Sequence, residues 1–313
     1  MDNTENIVNE HKNIDCEIES EINRLIGKTE SSANKTVLVL SGGGIKGIAY
    51  FGAFKALDEA GILKNIKTFA TTSVGAMVAA MYLLGYSIKE MENFCELYDF
   101  GKLMESKNKM GPLNLINNLG LNDGKNIVRT LIKLAKNKGF TDNVTLLDLY
   151  KKTGKKLIVT TTCVTTKEIE YISHENYPNL ELTTAIRMTT CVPLVFVPIF
   201  YNSKCYVDGG CIDNYPIHLF RNELDRVIGI YIMGNEGKNA EINCIETYLI
   251  NIIHTTMKGM CDTQIREYEN ETIKILLNHD NPIGFVVSNE KKNEFFNVGY
   301  NIVKKEIIDR KII

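Results

Sequence analysis

The sequence predicts an α/β protein built on a mostly parallel sheet covered by helices. Two patterns carry this reading. A short, continuous apolar run near the start has the mark of a strand buried on both faces, and it and the next strand-like segment are each followed closely by a segment of helical period. The connections between them are short, which places successive elements side by side.

The first run is Thr36 to Leu40, TVLVL, ending at Ser41 in a glycine cluster. Ile48 to Ala60 follows with helical spacing and stops at Gly61, a C-terminal cap. A second strand is expected at Ile66 to Thr71, then a helix from Val74 to Leu84 that ends at Gly85. Strand-like runs return at Leu157 to Val164, Ile169 to Ile172, Cys205 to Val207 and Val227 to Met233. Ahead of this core, Ile14, Ile18, Ile22, Leu25 and Ile26 recur at helical spacing in an acidic stretch, and 27–34 reads as a linker. Behind it, long helices are expected after Glu241 and after Glu290, with a strand at Ile273 to Leu277 between them.

Composition narrows the function classes. With 313 residues, 44% of them hydrophobic and 24% charged, the chain can bury a large core. A formal net charge of -2 creates no global field to collect nucleic acid or an anionic membrane. The eight cysteines show no C-x-x-C pair or zinc-type spacing and read as reduced and buried. No signal-peptide core and no apolar stretch of membrane-spanning length occurs, so an intracellular, soluble protein is expected, touching membranes only peripherally.

Three clusters carry chemistry. Gly42, Gly43, Gly44, Ile45, Lys46 and Gly47 follow the first strand and open the first helix, so their backbone N–H groups form a nest for an anion at a positive helix end. A dinucleotide fingerprint would need an acidic residue at the end of the second strand, and none is there; a phosphate-binding P-loop would need Gly-Lys-Ser/Thr, whereas Lys46 precedes Gly47 and Ile48. No nucleotide is expected. The second strand runs through Thr71 and Thr72 into Ser73, Val74 and Gly75, and a serine at such a strand-to-helix turn has the form of a nucleophile elbow; its plainer role would be a helix N-cap. Tyr206-Val207 leads into Asp208, Gly209 and Gly210, which alone would read as a turn.

In this order, a Gly-Gly-Gly-x-Lys-Gly loop, a Ser-x-Gly elbow and a late Asp-Gly-Gly resemble the patatin-like phospholipase family. Gly120 to Lys125, Ala185-Ile186-Arg187 with Pro193, and the Thr-Thr-Lys-Glu turn at 165–168 agree, and the likeness spans about Val37 to Met233. It implies a three-layer α/β/α fold with a central sheet, and hydrolysis of lipid acyl esters by a Ser–Asp dyad without metal or other cofactor. Ser73 would be the nucleophile, Asp208 the base, and Gly43 and Gly44 the oxyanion donors. Thr71 stands where the family's elbow has its first glycine, so either the turn opens slightly or a neighbour is smaller. The chain then divides into an amphipathic extension and linker at 1–34, a catalytic domain core at 35–235 and a helical part packing on it at 236–313.

Other arrangements remain open on the residues alone. A Ser-His-Asp triad could draw on His218, His254 or His279, and a silent lipid-binding module would need neither Ser73 nor Asp208. The apolar run Cys191 to Phe200 reads first as core and second as the wall of an acyl channel, through Val192, Leu194, Val195, Phe196 and Val197. The segment from Lys102 to Gly139 reads as an excursion beside the core. Up to Lys138 it carries eight Lys or Arg residues against Glu105 and Asp123, together with Leu113, Leu115, Ile116, Leu119 and Leu121, and reads equally as a lid on an anionic membrane surface or as a solvated face. A lipid or phospholipid is the expected partner.

Overall fold

The computed structural model describes residues 35–105, 118–235, 265–278 and 286–312, with isolated positions between 242 and 259. The helix expected within 1–34, most of the one after Glu241, His254, His279 and the hydrophobic residues Leu113, Leu115 and Ile116 lie outside the described residues.

In chain order the elements are β1 (Val37–Leu40), α1 (Ala49–Glu59), β2 (Thr68–Thr72), α2 (Val74–Leu83), α3 (Ile88–Leu97), β3 (Gly120–Asn122), α4 (Lys125–Asn137), α5 (Leu146–Thr153), β4 (Lys156–Cys163), β5 (Glu168–Ile172), α6 (Leu182–Thr189), β6 (Leu194–Phe196), β7 (Ile199–Tyr201), β8 (Lys204–Asp208), β9 (Val227–Asn235), β10 (Thr272–Asn278) and α7 (Asn289–Asp309). Local chemistry sets several boundaries. Ser87 and Glu90 form a capping box at the start of α3, and Thr145 and Asp148 form another at the start of α5. The glycine cluster enters its helix through a 3-10 turn, Gly44–Ile48, so the regular helix begins one residue later than the periodicity suggests.

The main sheet has the order β10-β9-β1-β2-β4-β8-β7, with β5 also on β4. The strands from β10 to β4 pair in parallel, while β5, β8 and β7 are antiparallel additions at one side. Both faces of β1 are buried, which is why its sequence is unbroken Val-Leu-Val-Leu. Leu38 and Leu40 join a core with α1, α2 and α7, whereas Val37 and Val39 pack with Tyr215, Ile217, Ile265 and Tyr268 on the other face. The fold is thus a central, mostly parallel sheet flanked by helices. Strand β10, from the segment after residue 235, extends this same sheet, and α7 packs along α1.

One feature of the sheet sets the position of the site. Val159 and Thr160 of β4 pair with Thr71 and Thr72 of β2 on one edge and with Ile172 and Tyr171 of β5 on the other. β2 ends there, and β8, running the opposite way, takes over the vacated edge, with Thr161 paired to Asp208. Thr72 and Asp208 therefore stand on consecutive rungs of one strand, although 136 positions separate them in the chain.

Candidate active site

Ser73 follows β2 and immediately precedes α2, with φ 51° and ψ −122°. A non-glycine residue in that region costs on the order of 1–3 kcal/mol, so the surroundings must hold it there. Its N–H donates to the Thr189 hydroxyl at the end of α6, 2.8 Å away. The side chain occupies the N-cap position of α2 but makes no capping hydrogen bond, so the plainer reading of this serine does not hold. Gly75 lets α2 close on the sheet: a Cβ there would meet Leu40 Cβ at 2.8 Å and the Ser41 carbonyl at 2.9 Å. Thr71 is fully buried, and its hydroxyl donates to the Ile158 carbonyl at 2.9 Å, so the polar atom that replaces a glycine hydrogen is satisfied across the β2–β4 pair.

The glycine loop lies over this elbow. Gly47 packs directly on Val74, leaving no room for any side chain between loop and helix. The loop's base is fixed by a buried network in which the Tyr50 hydroxyl donates to the Ser41 carbonyl at 2.7 Å and the Ser41 hydroxyl accepts from the Ile232 N–H at 3.0 Å. Gly42 N–H donates to the Asn214 carbonyl at 3.2 Å. Gly43 and Gly44 open the 3-10 turn, where backbone N–H groups have no intrahelical acceptor. Ile45 and Lys46, which follow, are buried.

Asp208 ends β8 and is 2% exposed. One oxygen, Oδ1, accepts the Gly210 N–H at 2.8 Å, and its own N–H donates to the Cys191 carbonyl at 2.9 Å. The other oxygen, Oδ2, is buried and has no settled hydrogen bond. Burial pushes the carboxyl up to about 6, against smaller opposing effects of the Ser73 hydroxyl and the Gly210 N–H, both of which favour the ion. The serine hydroxyl thus lies close enough to the carboxylate to favour its ionised form. Gly209 packs on the Thr160 backbone, which brings the turn against β4.

Ser73, Asp208 and residues 42–47 line a single cavity of about 230 Å³. Its remaining wall is largely apolar, from α2, α4, the aromatic residues Phe51, Phe94, Tyr98 and Phe100, and from Val192, Val195 and Phe196. The run at 191–200 is therefore both core and cavity wall, with Leu194 and Val197 outside the lining. The segment read as an excursion beside the core instead supplies α4, whose Ile127, Thr130, Leu131 and Leu134 face the cavity. Asn214 lines it too, and the loop that carries it is braced by Asp213. Asp213 accepts from the Tyr171 hydroxyl at 2.8 Å and the Tyr215 N–H at 3.1 Å, donates its N–H to the Gly209 carbonyl at 2.8 Å, and takes the Thr72 hydroxyl on its carbonyl at 3.3 Å.

Asn122 and Arg187 are structural. The Asn122 side chain accepts the Gly124 N–H at 2.7 Å, and Arg187, 2% exposed, lies against Gly124 with its guanidinium 5.1 Å from the Phe196 ring centre. No histidine is among the described residues that line the cavity. His218 faces Tyr171 at 3.1 Å and Asp213 at 3.6 Å, and His174 stacks on Tyr150 at 3.7 Å. Of the cysteines, Cys95, Cys163 and Cys191 are buried, while Cys205 and Cys211 are half-buried and depart from the expectation of full burial. Burial pushes the Cys191 thiol up to about 12 and raises Cys211 as well, so neither is a thiolate competing with Ser73 near neutral pH.

The model of the family described as patatin-like phospholipase matches residues 38–221, more than half of the chain and all three glycine-bearing motifs. The chain belongs to the patatin-like phospholipase family. Within reach of this patatin-like chain are uncharacterized protein R571 of Acanthamoeba polyphaga mimivirus, 29% identical over 87% of this chain and 93% of that protein, and the probable lipid hydrolase 463L of Invertebrate iridescent virus 6, 28% identical over 88% and 91%. Among solved structures, VipD from Legionella pneumophila superposes with a TM-score of 0.61 at 19% identity, covering 88% of this chain and 67% of that one, a likeness of fold. Among the described residues no helix is long and apolar enough to cross a membrane, and no group of three or more His, Cys, Asp or Glu is placed to hold a metal ion.

Proposed function

We propose that this patatin-like chain is a lipid acyl hydrolase that cleaves carboxylic ester bonds through Ser73 and Asp208. Family membership and the relative named a probable lipid hydrolase support lipid hydrolysis in general. The observation that carries the finer reading is the buried Asp208 carboxylate, whose ionised form the Ser73 hydroxyl favours, in the same cavity as that serine in its strained elbow.

Asp208 Oδ2 takes the Ser73 hydroxyl proton as Oγ attacks the ester carbonyl, and the oxyanion forms against the N–H groups of Gly43 and Gly44. Each well-aimed donor of this kind is worth about 3 kcal/mol in the transition state. Asp208 then returns the proton to the leaving alcohol, and the acyl-serine remains. A water molecule repeats the sequence, giving its proton to Asp208 and its oxygen to the carbonyl; the proton goes back to Ser73 as the fatty acid leaves. An ordinary aspartate, ionising near 3.9, is a weak base at neutral pH. Burial that lifts Asp208 to about 6 leaves it ionised at pH 7 and a better proton acceptor.

The fluorophosphonate reaction tests this reading. A single covalent adduct mapped by mass spectrometry to Ser73, absent in Ser73→Ala, is expected; an adduct at another serine, or none, contradicts it.

A further inference from the structure

The apolar lining of the cavity ends at a distance from Ser73 that is set by helix geometry. α2 leads away from Ser73 and presents Val74, Met77, Val78 and Met81 to the cavity, one stripe at helical spacing. Met81 lies eight residues beyond Ser73, which is about 12 Å along a helix axis. On the opposite wall, α4 presents Ile127, Leu131 and Leu134. The two stripes run in the same sense. The start of α4 adjoins Arg187, two residues before the threonine that holds Ser73, and its end is tied to the end of α2 by the Tyr86 hydroxyl, which donates to the Leu134 carbonyl at 3.1 Å.

Met81 is 2% exposed and Leu134 is partly buried, and among the described residues nothing of α2 beyond Met81 or of α4 beyond Leu134 lines the cavity, so both stripes end at this pair. Between the two ends the polar groups are matched to each other: the Tyr98 and Thr130 hydroxyls are 2.9 Å apart, which leaves the wall dry. An extended alkyl chain with C–C bonds of about 1.5 Å advances roughly 1.25 Å per carbon, so 12 Å of depth takes roughly eight to ten carbons.

We propose that Met81 and Leu134 form the stop that limits the acyl group to a medium chain of that length. This rests on the reading of Ser73 as the nucleophile, and the experiment separates the two. Hydrolysis of p-nitrophenyl butanoate, octanoate, decanoate, dodecanoate and hexadecanoate in mixed micelles gives kcat/KM against chain length. The expected profile climbs to octanoate or decanoate and falls at least tenfold by hexadecanoate. In Met81→Ala the dodecanoate-to-butanoate ratio rises several-fold, and in Met81→Phe it falls below wild type.

A second measurement needs no turnover: calorimetric binding of the matching free fatty acids to folded Ser73→Ala protein. Affinity should rise about fourfold per methylene, the gain from burying each one, and level off at eight to ten carbons. A rate profile or affinity that keeps climbing through sixteen carbons, or ratios that Met81→Ala and Met81→Phe leave unchanged, overturns the stop. Ester hydrolysis that persists in Ser73→Ala overturns the nucleophile instead, and the binding series still decides the cavity.

Discussion

Asp208 presents one oxygen to the Gly210 N–H at 2.8 Å and keeps the other buried without a settled partner. The Ser73 hydroxyl and the Gly210 N–H offset only part of the desolvation of this buried carboxylate, so the acid is held up at about 6. The proposed mechanism requires the ionised form. The rate constant kcat/KM for a short-chain ester should therefore rise with pH to a plateau, with a midpoint near 6. An activity that falls across that range would contradict Asp208 as base.

The same group makes stability depend on pH. Its folded-state value lies above the unfolded value of 3.8, so the native state holds a proton that the unfolded chain loses first. The contribution to stability is complete below about pH 4 and is lost as pH rises to about 6. In Asp208→Asn this descent disappears, and denaturant midpoints from pH 4 to 7 should show a flatter profile than wild type.

At Ser73 the strained backbone predicts an asymmetry between two variants that lack the hydroxyl. Ser73→Ala keeps a Cβ at φ 51°, whereas Ser73→Gly removes it, and the glycine variant should be more stable by about 1 kcal/mol in chemical denaturation. Equal stabilities would mean that the elbow is not strained.

Asp213 joins the end of β2 to the turn after Asp208, and Asp213→Ala leaves the Tyr215 N–H and the Tyr171 hydroxyl without their acceptor. A loss of about 1–3 kcal/mol of stability is expected, with kcat lowered more than KM is raised, because the reacting groups are displaced while the acyl cavity is kept. Tyr171→Phe removes only one of those bonds and should cost less on both counts.

These elements were not equally legible in the sequence. β1 and the strand-to-helix turns stand out because burial on both faces of β1 demands an unbroken apolar run and because Gly47 and Gly75 occupy positions where backbone and helix leave no room for a side chain. The direction of β8 was not legible, since a short apolar strand reads the same parallel or antiparallel, yet that reversal is what puts Asp208 one rung from Thr72. Nor was α4 seen as a cavity wall. Its Lys and Arg residues dominate the composition of the segment, and the buried positions Ile127, Leu131 and Ala135 emerge only once the helix phase is known. Thr189, Asp213 and Asn214 act through tertiary neighbours and carry no local pattern that would single them out.

The histidines separate the dyad from a triad. His218 is held by Tyr171 and Asp213, so His218→Gln should keep most of the activity on p-nitrophenyl butanoate, while Asp208→Asn loses on the order of a thousandfold or more. A folded, inactive His218→Gln beside an active Asp208→Asn would exchange the roles.

The central claim is tested most directly by fatty-acid release from vesicles of mixed phospholipids and neutral glycerides, measured by mass spectrometry for wild type and Ser73→Ala side by side. Free fatty acid should accumulate with the wild-type protein and fall on the order of a thousandfold or more in the folded variant. Release that is absent from wild type across all lipid classes, or undiminished in Ser73→Ala, would contradict a lipid acyl hydrolase acting through Ser73.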